Sequence, residues 1–448
     1  VSLATQRIIV IGGGAAGFFG AIACARTHPY VQATVLEAGL HCLAKVRISG
    51  GGRCNVTHAC FDPELLSQHY PRGGRALRGA FSRFQPQDTV AWFAAQGIQL
   101  KTEADGRMFP STNDSSTIVD CLLRVARDVG VTVRKRAAVV AVERQSSERQ
   151  SSERQSSERQ SSEQQSSTGW QGDRDRNSGG FQVRLRSGER LGCDRILLAT
   201  GSSSQGHRIA RSLGHSIVSP VPSLFTFNLN DSRLQGLAGV AVDPVRLRLL
   251  TTGKTKLEQI GPLLVTHWGL SGPAVLRLSA WGARDLHNCR YRATLLIDWL
   301  PQLKAETVRQ ILQSQRQEQA RRAIATQAPL PLPRRLWQRL IASVGITPET
   351  RWSALSNKSL NRLLEELTQG HYEIQGKGVF KEEFVTCGGV ALKEVNFKTM
   401  ASRCCPGLYL AGEILDIDGI TGGFNFQSAW TTAWLAGQAM GAKAPQIQ

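Results

Sequence analysis

Near the start of this 448-residue chain, Gly12, Gly14 and Gly17 form a G-x-G-x-x-G run, and Glu37 follows twenty residues after the last glycine. That spacing suits a dinucleotide. Gly12 allows a tight turn, Gly14 leaves room for a pyrophosphate against free amides, and Gly17 lets a helix pack closely, with Ala15 and Ala16 at its start. Glu37, followed by Ala38, can accept hydrogen bonds from a ribose diol, and its charge would repel a 2′-phosphate, so FAD or NAD is favoured over NADP.

Two further glycine loops stand ready for the same ligand. In "KVRISGGGRCN", residues 45–55, Gly50, Gly51 and Gly52 let bare backbone lie against a flat or anionic group. Lys45, Arg47 and Arg53 can balance its charge, and Ser49, Cys54 and Asn55 complete the loop. Near the end, Gly412, Glu413, Asp416 and Asp418 precede Gly422, Gly423, Phe424 and Asn425. Such a loop can bind ribitol hydroxyls, and a helix N-terminus there suits the electron-rich edge of an isoalloxazine. No second G-x-G-x-x-G occurs, so the reading is FAD, with no metal site.

These residues need an α/β frame. Residues 7–38 read as strand, turn, helix, strand, and further strands are predicted over 131–142, 181–186 and 195–200. Val139 lies in the first of these, and Thr200 and Gly201 close the last; all three join the expected cofactor contacts. Residues 223–300 are rich in short strands and 303–366 in helix, interrupted by prolines. The predicted fold is therefore a Rossmann-like FAD-binding domain split in sequence by an inserted β-rich and helical region. The expected segments are 1–215, 216–300, 301–380 and 381–448. Within the first, residues 145–167 repeat Gln-Ser-Ser-Glu-Arg with no apolar residue, which predicts a disordered surface loop over 144–180.

Composition is that of a folded protein, 41% hydrophobic and 20% charged, without an apolar run long enough for a membrane span. A cytoplasmic protein is expected. Ten cysteines without a C-x-x-C pair argue against a zinc site or a disulfide reductase. A net charge of +19 favours a polyanionic partner.

The motifs "KVRISGGGRCNVT", "GRMFPST", "GPLLVTHWGLSGPAVLRLS", "VTCGGVALKEV" and "GLYLAGEILDIDGITGGFNFQSAW" together resemble the BaiN/RdsA (YhiN-like) family of FAD/NAD(P)-dependent flavoproteins. The resemblance implies a discontinuous FAD domain, NAD(P)H as transient reductant, and either reduction of a conjugated C=C in bile-acid intermediates or dihydrouridine formation in large-subunit ribosomal RNA. An aminoacetone oxidase looks similar as well. The chain departs from the family at Ala44, where glycine is usual, at His58, where asparagine is frequent, and in the short "SSSQGHRIA" after Gly201.

Both reductions deliver hydride to an activated C=C and need a proton donor. Cys54 and His267 are the candidate acids, and Ser271 is a candidate cap for a helix near Pro273 whose amides would face a developing oxyanion. For the substrate, residues 301–362 carry eleven Lys or Arg against three Asp or Glu, with Trp337 and Trp352 interleaved. Residues 70–84 add four arginines with Tyr70, Phe81 and Phe84. Cations for phosphates and rings for bases point to ribosomal RNA or its precursor. A flavoenzyme acting on a small enone or amine, for which salt would hardly matter, and a non-catalytic FAD-stabilised RNA-binding protein are the alternatives.

Overall fold

The computed structural model describes residues 5–145, 180–250, 257–378 and 385–442. The chain divides into two compact units, one running to Pro220 and resuming at Gly388, the other spanning Val221–Cys387.

The first unit is built on a seven-stranded sheet. Its parallel strands are β1 (Gln6–Ile11), β2 (Val31–Leu36), β3 (Thr132–Arg134), β4 (Arg195–Leu198) and β5 (Leu408–Leu410), in the order β5-β4-β1-β2-β3. Ile8, Ile9, Val10 and Ile11 are all buried, because a parallel strand at the centre of such a sheet is covered on both faces. The chain winds from β1 through β2 and β3 to one side, and reaches β4 and β5 on the other. The carboxyl ends of β1 and β4 therefore bound a topological switch point, where ligands of open α/β sheets bind.

Helix α1 (Ala15–Thr27) follows β1, and α2 (Phe424–Met440) follows β5. They pack closely enough that a Cβ on Gly437 would lie 2.6 Å from Ala23 Cβ and 2.7 Å from the Gly20 carbonyl oxygen. Glycine is required there by approach distance. The two terminal segments of the chain are thereby joined in one core.

The strand predicted over 131–142 is two strands. Arg136 takes a left-handed φ of 54°, and the amides of Arg136 and Ala137 donate to the carbonyls of Gly39 and Glu37. The chain then leaves the parallel sheet, and Val139–Arg144 pairs with Phe181–Leu185 in a separate three-stranded sheet. This hairpin is closed by the Gln145 amide on the Gly180 carbonyl at 2.8 Å. Of the loop expected over 144–180, Arg144 ends a strand and Gln145 and Gly180 pair with each other, while the repeat of 145–167 beyond Gln145, together with 168–179, lies outside the described residues.

The second unit holds a seven-stranded antiparallel sheet that includes Ala241–Leu250, Leu257–Val265, Gly269–Ser271 and Ala293–Asp298. Helices Ala305–Glu318, Arg334–Ser343 and Asn357–Gln369 accompany it. The two stretches that sequence separates at residue 300 share one core: Leu247, Leu295 and Ile297 of the sheet belong to the same buried cluster as Leu312, Trp337, Trp352 and Leu363.

All ten cysteines are free thiols, seven of them buried. Among the described residues no helix is long and apolar enough to cross a membrane.

Candidate cofactor site

The three glycine loops belong to the first unit. Gly12, at φ 114°, sits so close to the end of β4 that a Cβ would lie 2.4 Å from the Ala199 oxygen and 3.0 Å from Thr200 Cα. Gly17 would place one 1.9 Å from the Gly12 oxygen. Gly14, by contrast, caps α1 with its Cβ direction open, nothing within 4 Å, and no side chain takes the cap. Ala16 reaches the third loop, where a Cβ on Gly412 would meet Ala16 Cβ at 2.8 Å.

Glu37 is oriented by its neighbours. Its Oε2 accepts from the Gly13 amide at 2.9 Å and its Oε1 from the Gly39 amide at 2.7 Å. A carboxylate has about four lone-pair directions, so both oxygens keep capacity for hydroxyl donors. Ala38 is exposed beside it. Thr200 Oγ1 is buried and makes no hydrogen bond within the described residues. A Cβ on Gly201 would lie 3.5 Å from Glu413 Oε2, and Lys45 Nζ meets that same oxygen at 2.6 Å.

The second loop is not one helix. Ser49 leaves helical geometry, Gly50, Gly51 and Gly52 take φ of 58°, 69° and 83°, and Cys54 follows at φ 61°. Gly51 and Gly52 face open space. Arg53 pairs with Glu103 at 2.6 Å over the Phe109 ring, and Ser49 Oγ donates to the Val46 carbonyl. Asn55 links this loop to α2: with its amide oriented to satisfy its neighbours, its oxygen accepts from the Gly423 amide at 2.9 Å and its nitrogen donates to the Thr57 carbonyl at 3.0 Å. Asn425 closes the third loop on Gly419, donating to its carbonyl and accepting from its amide. Asp416 is half-buried in that loop. Asp418 departs from the ribitol reading: it is fully buried and bound by the Arg72 guanidinium, Nε to Oδ1 at 2.6 Å.

Open space over Gly14, Gly51 and Gly52, an uncapped α1 N-terminus, a held carboxylate at Glu37 and a buried hydroxyl without a partner at Thr200 fit FAD across this edge. Val139 is buried in the neighbouring small sheet, 6% exposed.

Sequence models of the HI0933-like protein Rossmann domain and of the HI0933-like protein barrel and H2TH domain match residues 6–169 and 221–385. The chain belongs to the HI0933-like family. With it the chain joins the FAD-dependent oxidoreductases that the motifs resemble. A 3-dehydro-bile acid delta(4,6)-reductase of Clostridium scindens is 27% identical over 442 residues, covering 97% of this chain and 98% of that one. A ribosomal RNA dihydrouridine synthase of Escherichia coli is 29% identical over 442 residues, 96% of each. Among solved structures, the open conformation of a flavocytochrome c3 fumarate reductase is similar at a TM-score of 0.43 and 16% identity, over 98% of this chain and 78% of that one.

Within this HI0933-like chain the candidate proton donors fare unequally. Cys54 is fully buried, and burial pushes its thiol up to about 12, so the proton is held tightly on sulfur and the group is a weak acid suited to packing. Ser271 is not a helix cap. It ends a strand opposite Leu264, and Gly272 caps helix Pro273–Trp281 at φ 97°, where any Cβ would crowd the Leu264 amide. His267 is exposed on a turn of the second unit, next to Trp268, itself 65% exposed.

Sequence reading missed two imidazoles in the first unit. His58 and His69 stack on Phe424 at 4.5 and 4.4 Å. His58 Nδ1 bonds the Gly422 carbonyl at 3.0 Å, and burial lowers its pKa, so the ring is neutral at pH 7 with its proton on Nδ1. The signal was the departure from asparagine at position 58.

Elsewhere in this unit, His215, Glu394 and Cys404 bring potential metal ligands within 4.8 Å of one another. The ring is already committed. Ser402 Oγ accepts the amides of Cys404 and Cys405, so it must donate its own proton to His215 Nε2, at 2.8 Å. The ring proton then sits on Nδ1 and faces Glu394 at 3.1 Å, leaving no lone pair for an ion.

Proposed function

We propose that the protein reduces an activated C=C beside a carbonyl, with uridine in large-subunit ribosomal RNA as substrate, NAD(P)H as electron donor and the cytoplasm as its place of work. FAD, when bound, supplies the hydride chemistry. The chain binds and orients it. The amides at the α1 N-terminus, left open by Gly14, receive the pyrophosphate, and Glu37 accepts the ribose hydroxyls. At the other end, the positive N-terminal end of α2 favours negative charge on the ring edge.

The observation that carries this reading is the meeting of both terminal segments at one edge: Gly12 against Ala199, Ala16 against Gly412, and Asn55 on the Gly423 amide. Such a site spans a ligand with two different ends. The relatives support carbon–carbon double-bond reduction, since dihydrouridine formation and a delta(4,6)-reduction are the same step on different substrates. Deleting the gene and mapping dihydrouridine in the large-subunit RNA tests the substrate. Loss of one modified position is expected, and an unchanged map rejects it.

A second reading, reduction of a small conjugated enone, draws support from the bile-acid relative at equal coverage. It predicts flavin reoxidation by an enone at a rate indifferent to salt.

A further inference from the structure

We propose that the helical part of the second unit is a phosphate-reading surface, which grips the RNA backbone and leaves the bases unread. The inference rests on the ribosomal RNA reading and adds to it where, and how, that partner is held.

Residues 301–362 carry eleven Lys or Arg and three Asp or Glu, so 11 − 3 = +8 of the chain's +19 falls on this short stretch. Three of the cations' surroundings are internal. Arg309 meets Glu306 at 3.6 Å and donates to Asn361, Arg316 donates to Asn357, and Arg335 donates to the Gly236 carbonyl. Arg321, Arg322, Arg334, Arg339 and Arg351 are exposed, and among the described residues their guanidiniums meet no carboxylate.

The fold gathers them. Trp352 donates its amide to the Arg322 carbonyl at 3.0 Å, and Ala323 bridges Arg351, so Arg322 and Arg351 stand on adjoining extended segments with Arg321 next in line. Helix Arg334–Ser343 is pinned to the same segment by Trp337 Nε1 on the Ile324 carbonyl at 2.8 Å and Gln338 Nε2 on the Ala325 carbonyl at 3.2 Å. Arg334 lies one helical turn before Gln338, on the same face. Exposed guanidiniums brought together without carboxylates repel one another, and a partner with regularly repeated anionic charge relieves that repulsion.

Two features select a nucleic-acid backbone over other polyanionic surfaces. Trp337 and Trp352, which the sequence offered as platforms for bases, are core residues, 0% and 2% exposed, stacked on each other at 6.5 Å. Tyr70, Phe81 and Phe84 of the first unit are buried likewise. No large hydrophobic side chain is exposed among the described residues of 301–378, so the helical stretch of 301–362 offers neither a tryptophan, tyrosine or phenylalanine ring for stacking nor an apolar wedge for a membrane interface. What remains is charge presented by planar, bidentate donors, which positions a duplex or folded RNA without reading its sequence.

The test compares wild type with R321Q/R322Q/R351Q and with the charge-keeping R321K/R322K/R351K. These side chains make no hydrogen bond among the described residues, so flavin content and melting temperature should match in all three. Binding to a large-subunit RNA fragment, a scrambled RNA of equal length and phosphatidylserine vesicles is followed against KCl concentration. Wild type should bind both RNAs alike, and the glutamine variant should lose about 2–3 from the slope of log K against log salt, at roughly 0.7–0.9 per phosphate contact. The lysine variant should keep the slope. An unchanged slope in the glutamine variant overturns the proposal, as does a wild-type preference for the native sequence, or arginine-dependent binding to vesicles alone. Dihydrouridine mapping in the deletion strain is read separately: an unchanged map with the slope change intact rejects the uridine reaction and spares the surface.

Discussion

Glu37 bonds two amides at once, which makes it sensitive to a change of one atom. In Glu37→Gln an NH2 group must face either the Gly13 or the Gly39 amide, donor against donor. The expected cost is about 1–3 kcal/mol, with FAD affinity reduced tenfold or more, read by titrating flavin fluorescence. The buried thiols give a pH dependence. Cys24, Cys54 and Cys193 are each raised by burial from an ordinary 9.0 to about 12. The folded state therefore keeps protons that the unfolded state releases, so stability is complete below about pH 9 and falls as pH rises toward 12. A melting temperature that holds steady from pH 8 to 11 would contradict this. The glycines and Glu37 were legible in the sequence because their chemistry follows from residue type and spacing alone. The tryptophans were misread, although the signal was present: Leu336, Trp337, Leu340 and Ile341 form one apolar helical stripe, and a ring on that stripe belongs to the core. Ser271 was not legible as a strand end, since Gly272 takes the capping position through a backbone angle that no composition reveals.

At the scale of elements, α1 is a helix whose N-terminus is left open for a ligand. Gly14 sits at φ −91° and ψ −170°, a conformation alanine adopts freely, and its Cβ direction meets no protein atom within 4 Å. Gly14→Ala should therefore leave the cofactor-free protein within about 1 kcal/mol of wild type while weakening FAD binding at least tenfold, because the methyl group takes the space meant for phosphate. Urea unfolding of the apoprotein and isothermal titration of FAD separate the two effects, and equal FAD affinity would move the pyrophosphate elsewhere. The strand-turn-helix-strand unit that carries this site was readable from periodicity. The break at Arg136 was not, since its cause is a pair of amides donating to distant carbonyls at Gly39 and Glu37.

For the whole molecule, the expected cofactor contacts concentrate in the unit built from both chain ends, while the unit from Val221 to Cys387 has its own sheet and core. Saturating FAD should then raise only one of two calorimetric transitions, by about 2.7 kcal/mol at a hundredfold excess over its dissociation constant. A single transition moving as one body would show the units unfolding together. The split arrangement was foreseeable because the C-terminal motif repeats the grammar of the N-terminal one. The fusion of the strand-rich and helical stretches into one core was not, because neither stretch has a composition that announces its partner.

The hairpin closed between Gln145 and Gly180 has a practical reach. Its two strand ends are already held 2.8 Å apart by a backbone bond, so the fold asks nothing of what is threaded between them except that it return to its starting point. A fluorescent reporter whose own termini lie side by side could be spliced there in place of residues 146–179, giving an optical handle on the flavin-bearing half without touching either end of the polypeptide.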